Sequence, residues 1–248
     1  MTVPLFSIKY ALPVIAAILL ALFFPVSAHM AADDRRRYWR VQIATLIGAG
    51  VGAKVVVLMG DRFWPVVPLA HGWIDVIQSG RSIVGGLIFG FIAAELAKPV
   101  FGYTLPPNDR FAAVLPFSAA IGRVGCFLQG CCRGIEHHAV WSVTYSDGIP
   151  RYPVQLFEAA FHLAAGLTFV VLVKRRKLQG RLFALYLIAY GIYRFLSEII
   201  RETPRVAGSW SVYQFFCIVM VLLGVVSFAL RKGQADGTRR AAAAPAAA

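Results

Sequence analysis

Charged side chains inside apolar runs are the first candidates for chemistry, since each costs about 2.5–3.5 kcal/mol at the centre of a membrane span and is steered to a bundle interior or a wet cavity. In AYGIYRFLSEIIRETPR, Tyr190, Arg194 and Glu198 recur at steps of four and Arg201 follows three further on. All four therefore share one helical face, with Arg194 and Glu198 spaced to pair. A second face, in RYPVQLFEAAFHLAAG, spaces Gln155, Glu158 and His162 by three and four. A third stretch, GRVGCFLQGCCRG, sets Arg123 among Gly122, Gly125, Gly130 and Gly134. Small residues let a backbone or a ligand come close, and the arginine fork of donors suits phosphate. Arg123 is thus a candidate grip for a lipid headgroup. The plainer readings are an ion pair that only fastens helices for Arg194 and Glu198, a satisfied core imidazole for His162, and a snorkelling side chain for Arg123.

The same stretch carries Cys126, Cys131 and Cys132, with Cys217 alone in a later run as a core residue. The C-x4-C-C run is not a zinc spacing, because structural zinc sites pair ligands at shorter intervals and need four of them. Neither a metal nor a cofactor is expected on that ground, though His137 and His138 nearby keep a metal site open as an alternative. A disulfide among the three in an oxidising compartment, leaving an odd reactive thiol beside Arg123 or Arg133, is another.

The elements that position these groups are membrane helices. Of 248 residues 58% are hydrophobic and 15% charged, far from the ~25% charge of a soluble domain. Apolar runs of about 20 residues, enough to cross a bilayer, fall at 10–30, 41–60, 83–103, 111–131, 153–173, 182–200 and 210–230. This predicts an all-α polytopic protein of about seven transmembrane helices. The net charge of +13 is topological and does not call for nucleic acid. Arg35, Arg36, Arg37 and Arg40, then Lys174, Arg175, Arg176, Lys177 and Arg181, then Arg231, Lys232, Arg239 and Arg240 mark alternate connectors. Basic short loops stay cytoplasmic, so the N-terminus is expected in the periplasm and the C-terminus in the cytoplasm. The first run is read as a retained span and not a cleaved leader, because only Lys9 precedes it and the arginine cluster follows it. Residues 1–232 are read as one seven-helix domain and 233–248, ending in AAAAPAAA, as a disordered cytoplasmic tail.

Taken together, GRVGCFLQGCCRG, YPVQLFEA and YGIYRFLSEIIRETP resemble, in order, the signature regions of the prolipoprotein diacylglyceryl transferase family, and SIVGGLIFG stands where that family has a His-Gly-Gly segment. The resemblance covers roughly residues 5–230. It implies a multi-pass enzyme of the bacterial inner membrane. Such an enzyme moves a diacylglyceryl group from phosphatidylglycerol to the cysteine thiol of a lipoprotein precursor, with no cofactor, and releases glycerol phosphate. By the resemblance Arg123 and Arg194 hold the phosphate and stabilise the leaving group, and the catalytic residues expected in this chain are Arg123, Arg194, Glu158, Glu198 and Cys131. The substrate-binding set is Tyr10, Gly85, Gly86, Cys126, Gly130, Gly134, Gln155, Tyr190 and Arg201. Four positions depart from the family: Val84 replaces the histidine before Gly-Gly, Cys126 the asparagine of GRIGNF, Cys131 the glutamate after NG, and Tyr152 the histidine of HPSQLYE. A base, a polar anchor and an acid are missing together, which points to a paralogue that keeps the phospholipid grip and changes the acceptor or the chemistry. Glu158, Glu198 or a cysteine thiolate remain as substitutes for the base. The rival of a different class is an envelope protein that transfers nothing and uses Cys126, Cys131 and Cys132 to bind metal or exchange disulfides.

Overall fold

A computed structural model describes residues 32–61, 80–103, 109–206 and 208–243, with side chains at 109–111 and 232–243 left aside. The expected first span and its Tyr10 lie outside the described residues. Six helices long and apolar enough to cross a membrane account for the other expected runs: α1 (Ala32–Asp61), α2 (Ile83–Val100), α3 (Asp109–Gln129), α4 (Val154–Lys174), α5 (Leu182–Ser197) and α6 (Val212–Ala243). They pack chiefly as sequential pairs, α1 on α2, α3 on α4 and α5 on α6. Apolar side chains such as Ile47, Leu96, Leu167 and Leu222 stay exposed, as expected where lipid and not water is the surrounding solvent.

Close approach of the pairs rests on glycine. A Cβ on Gly85 would strike the carbonyl of Gly52 across the α1–α2 crossing, and one on Gly224 would lie 2.9 Å from the Ala184 carbonyl across α5–α6. The shared core joins Val84, Leu87 and Ile88 of α2 to Phe169 of α4, Leu182, Tyr186 and Tyr190 of α5, and Cys217 and Met220 of α6. Helix α2 starts at Ser82, whose hydroxyl accepts the Gly85 N–H at 3.3 Å, an N-cap of the ordinary kind.

Among the described residues one segment forms strands, and periodicity gave no sign of it. Between α3 and α4 the chain forms a small antiparallel hairpin, β1 (Val143–Thr144) with β2 (Pro150–Arg151), paired Val143 to Arg151 and Thr144 to Pro150. Arg133 and Arg151 clasp its turn through Asp147 at 2.5 and 3.3 Å, and Arg151 also reaches Glu202 at 3.1 Å. Backbone bonds from Ile135 N–H to the Ile200 carbonyl and from Glu202 N–H to the Arg133 carbonyl sew this segment to the end of α5. The hairpin segment thereby ties α3 and α4 to the stretch where α5 gives way to a single 3-10 turn, Glu198–Ile200.

Candidate active site

That 3-10 turn begins just where the polar face of α5 ends, and Arg194, Glu198 and Arg201 are all buried around it. Glu158 is the hub. It is 1% exposed and receives Arg123 at 2.8 Å, Arg201 at 3.2 Å and the Tyr190 hydroxyl at 2.5 Å. Glu198, fully buried, pairs with Arg194 and accepts from the Thr203 hydroxyl at 2.6 Å and the Ser211 hydroxyl at 3.0 Å. Arg201 bridges the two carboxylates, lying 3.8 Å from Glu198 through its Nε. Arg205 closes the end of the turn by donating to the Glu198 carbonyl at 2.9 Å. The sequence-predicted Arg123, Glu158, Tyr190, Arg194, Glu198 and Arg201 therefore form one buried ionic cluster drawn from α3, α4, α5 and the 3-10 turn.

The members differ in what they face. Beside this cluster, a cavity of about 840 Å3 runs along α1 and α2 from Tyr38 and Lys98 to Ala53 and Ser82, and Arg123, Cys126, Cys131, Cys132 and Gly86 line it. Arg194 and the two carboxylates do not; Arg194 lies instead under the ring of Tyr213, 5.6 Å from its centroid. The two arginines thus share an ionic cluster while Arg123 alone reaches the open space. Arg123 is 7% exposed, and its Nε is buried with no hydrogen-bond partner. A buried donor left unsatisfied costs about 1–3 kcal/mol, so Arg123 keeps one unused donor next to the cavity that it lines. Arg81 and Gln129 also line this end, and the sequence reading singled out neither. Arg81 stands immediately before the SIVGG stretch, the one signal that could have found it.

The remaining predicted residues are structural neighbours of the site. Gly85 serves the α1–α2 crossing described above. Gly134 is pinned between Tyr152 and Ile200, whose carbonyls would lie 2.7 and 2.9 Å from an added Cβ. Gln155 accepts from the Tyr145 hydroxyl at 3.0 Å and donates to the Cys131 carbonyl at 2.6 Å, so it holds the hairpin to α4. Burial pushes the Tyr145 phenol above its ordinary range, which keeps the proton it donates to Gln155. Val84 is 1% exposed within the shared core. His162 is fully buried, with Nδ1 3.1 Å from the Tyr186 hydroxyl and Nε2 3.9 Å from Glu158, consistent with the core role weighed for it.

The cysteines meet through an unusual turn. After α3 the chain takes positive φ at Gly130 (70°) and again at Cys132 (58°), a region that side chains other than glycine seldom occupy. The double reversal folds Cys131 and Cys132 back over Cys126, so that the three sulfurs lie within 4.8 Å of one another. His137 and His138 are held elsewhere, by Ser142 and Glu136.

Comparison with known proteins agrees with the three signature stretches. A profile described as prolipoprotein diacylglyceryl transferase matches residues 1–230. The chain is 31% identical to the phosphatidylglycerol–prolipoprotein diacylglyceryl transferase of Polynucleobacter asymbioticus over 78% of this chain and 75% of that one. It is 29% identical to that of Campylobacter lari over 91% and 89%, and 27% identical to a second such enzyme of Clostridium perfringens over 79% of each. The chain belongs to the prolipoprotein diacylglyceryl transferase family.

Proposed function

We propose that this protein is a multi-pass transferase of the bacterial inner membrane that moves a diacylglyceryl group from phosphatidylglycerol to the cysteine thiol of a lipoprotein precursor. Its relatives are named for both substrates. The basic connectors favour a periplasmic N-terminus and a cytoplasmic C-terminus. One observation carries the reading: Arg123, with a partnerless buried Nε, stands on the wall of a largely apolar cavity and is fixed there by Glu158. The acyl chains take the apolar wall and the phosphate takes the guanidinium. As the glycerol carbon–oxygen bond breaks, negative charge gathers on the phosphate, and a pre-aimed donor in a dry site stabilises it.

Arg194 acts through the cluster. It neutralises Glu198, which leaves Arg201 to share Glu158, and Glu158 sets the direction of Arg123. Neither carboxylate is a ready base, because each already accepts from several donors. The purely thiol-based rival, in which nothing is transferred, is not favoured by the family membership.

The test is incubation of the purified protein with labelled phosphatidylglycerol, with and without a lipobox peptide. Release of glycerol phosphate that depends on the peptide, with label appearing on its cysteine, is the expected result. Absence of both from folded wild-type protein overturns the reading.

A further inference from the structure

The transfer reaction needs a deprotonated acceptor thiol, yet Val84 is sealed in the core and both carboxylates are occupied by donors. Beside Arg123 stands a group the reaction has not used. Cys126, Cys131 and Cys132 are not joined by disulfides in this structure, all line the cavity, and all lie within 4.8 Å of one another at their sulfurs. A tetrahedral zinc ion with bonds of about 2.3 Å holds its sulfurs about 3.8 Å apart, so small side-chain rotations close the remaining gap. The sequence argument against zinc rested on the interval, which assumes an ordinary turn, and on the four ligands of a structural site, where a catalytic site needs three. The positive φ at Gly130 and Cys132 supplies what the interval lacks, and a strained residue of this kind is held by its surroundings at functional sites. Here the holding bond runs from Gln155 to the Cys131 carbonyl.

We propose that Cys126, Cys131 and Cys132 bind a zinc ion as three thiolates, leaving a fourth position open to the cavity, and that the acceptor thiol binds there. Three protein ligands with an open fourth is the pattern of catalytic zinc, where four protein ligands would mark a structural site, and soft thiolates select such an ion. A thiol that coordinates the ion is deprotonated outright, which removes the need for the base absent at Val84. Three thiolates and one divalent ion leave a net negative charge. Arg123 and Arg201 lie within electrostatic range of Cys132 and offset it.

This role rests on the transferase reading above, and its balance is simple. The acceptor thiol releases its proton to water on binding the ion. The thiolate sulfur then attacks the glycerol carbon, so that a carbon–sulfur bond forms and the carbon–oxygen bond to phosphate breaks. The electron pair passes to the phosphate oxygen facing Arg123, and glycerol phosphate leaves. The product thioether is a weaker ligand than the thiolate and departs from the ion.

The experiment uses full-length reduced protein in detergent, stripped with a chelator and reloaded with zinc or with cobalt as a coloured substitute. About one ion per chain is expected, with thiolate-to-cobalt charge-transfer absorption. Binding should be lost in Cys126→Ser, Cys131→Ser and Cys132→Ser and kept in Cys217→Ser. A lipobox peptide should change the cobalt spectrum, and its cysteine-to-serine version should not. Transfer should fall at least tenfold on stripping and return with zinc.

Failure to bind zinc or cobalt in folded protein overturns the site. Binding without a peptide-dependent spectrum, or transfer indifferent to stripping, overturns the activating role while leaving the transferase intact. A peptide-dependent spectrum with no transfer in any form upholds the site and rejects the transferase reading instead.

Discussion

Two neighbouring polar regions of this molecule are built on opposite terms. In the ionic cluster every charged side chain is paired, three arginines sharing two carboxylates: Glu158 takes Arg123, Arg201 and the Tyr190 hydroxyl, and Glu198 takes Arg194 and the hydroxyls of Thr203 and Ser211. At the cysteine turn three sulfurs crowd together in a cavity wall, within 4.8 Å of one another, and Cys131 also contacts the Cys126 carbonyl at 3.6 Å. The contrast separates positioning from reaction. A buried carboxylate that already accepts three hydrogen bonds holds geometry, whereas groups left facing a cavity are where ligands are received. Arg123 belongs to both regions, fixed by Glu158 on one side and lining the cavity on the other.

The comparison breaks most severely at the hub. Glu158→Ala leaves Arg123 buried without its counter-charge and Arg201 with only the 3.8 Å contact to Glu198, a loss of about 3–5 kcal/mol. Thermal unfolding in detergent should fall steeply and transfer should vanish with it. A variant of wild-type stability would show that the cluster is not the framework of the site.

Arg123→Ala should act differently, because Glu158 keeps Arg201 and Tyr190. The protein should stay folded while glycerol phosphate release drops about 10²–10³-fold, the cost of one pre-aimed donor. Arg123→Lys, which keeps the charge and loses the fork, should recover only part of that. Equal activity in the lysine variant would reduce the role of Arg123 to a point charge.

A smaller effect is expected at the joint between the regions. Gln155→Ala frees the Tyr145 hydroxyl and the Cys131 carbonyl, costing about 1–3 kcal/mol. It should also loosen the turn, read as faster labelling of Cys131 by a thiol reagent. Unchanged labelling would mean that the turn holds its shape without Gln155.

The smallest change should come from Cys217→Ala, a truncation inside the shared core, with about 1 kcal/mol of stability lost. Transfer should be unchanged, which separates the lone core thiol from the cavity three.

Much of this arrangement could be read from residue order, and the parts that could not share a cause. The six described spans fall on the apolar runs because lipid demands continuous helix and continuous hydrophobicity, a local property. Tyr190, Arg194, Glu198 and Arg201 were legible as one face because helical spacing is local too. Glu158 as the hub was not, since its partners come from residues 35 before and 43 after it. Gln155 and Gly85 stood in the expected substrate-binding set. In the fold they fasten the hairpin and the α1–α2 crossing, roles that depend on partners distant in sequence. The hairpin left no alternating pattern because each of its strands is two residues long. The cysteine cluster escaped the interval rule because nothing in the residue types announces a positive φ at Cys132.

The central claim is that Arg123 holds the phosphate of an anionic phospholipid within the cavity. Native mass spectrometry of wild-type and Arg123→Ala protein released from membranes of mixed phosphatidylglycerol and phosphatidylcholine tests it most directly. The account predicts a retained phosphatidylglycerol on the wild type that the variant loses, with phosphatidylcholine carry-over the same for both. Equal retention of phosphatidylglycerol by the two proteins would contradict it.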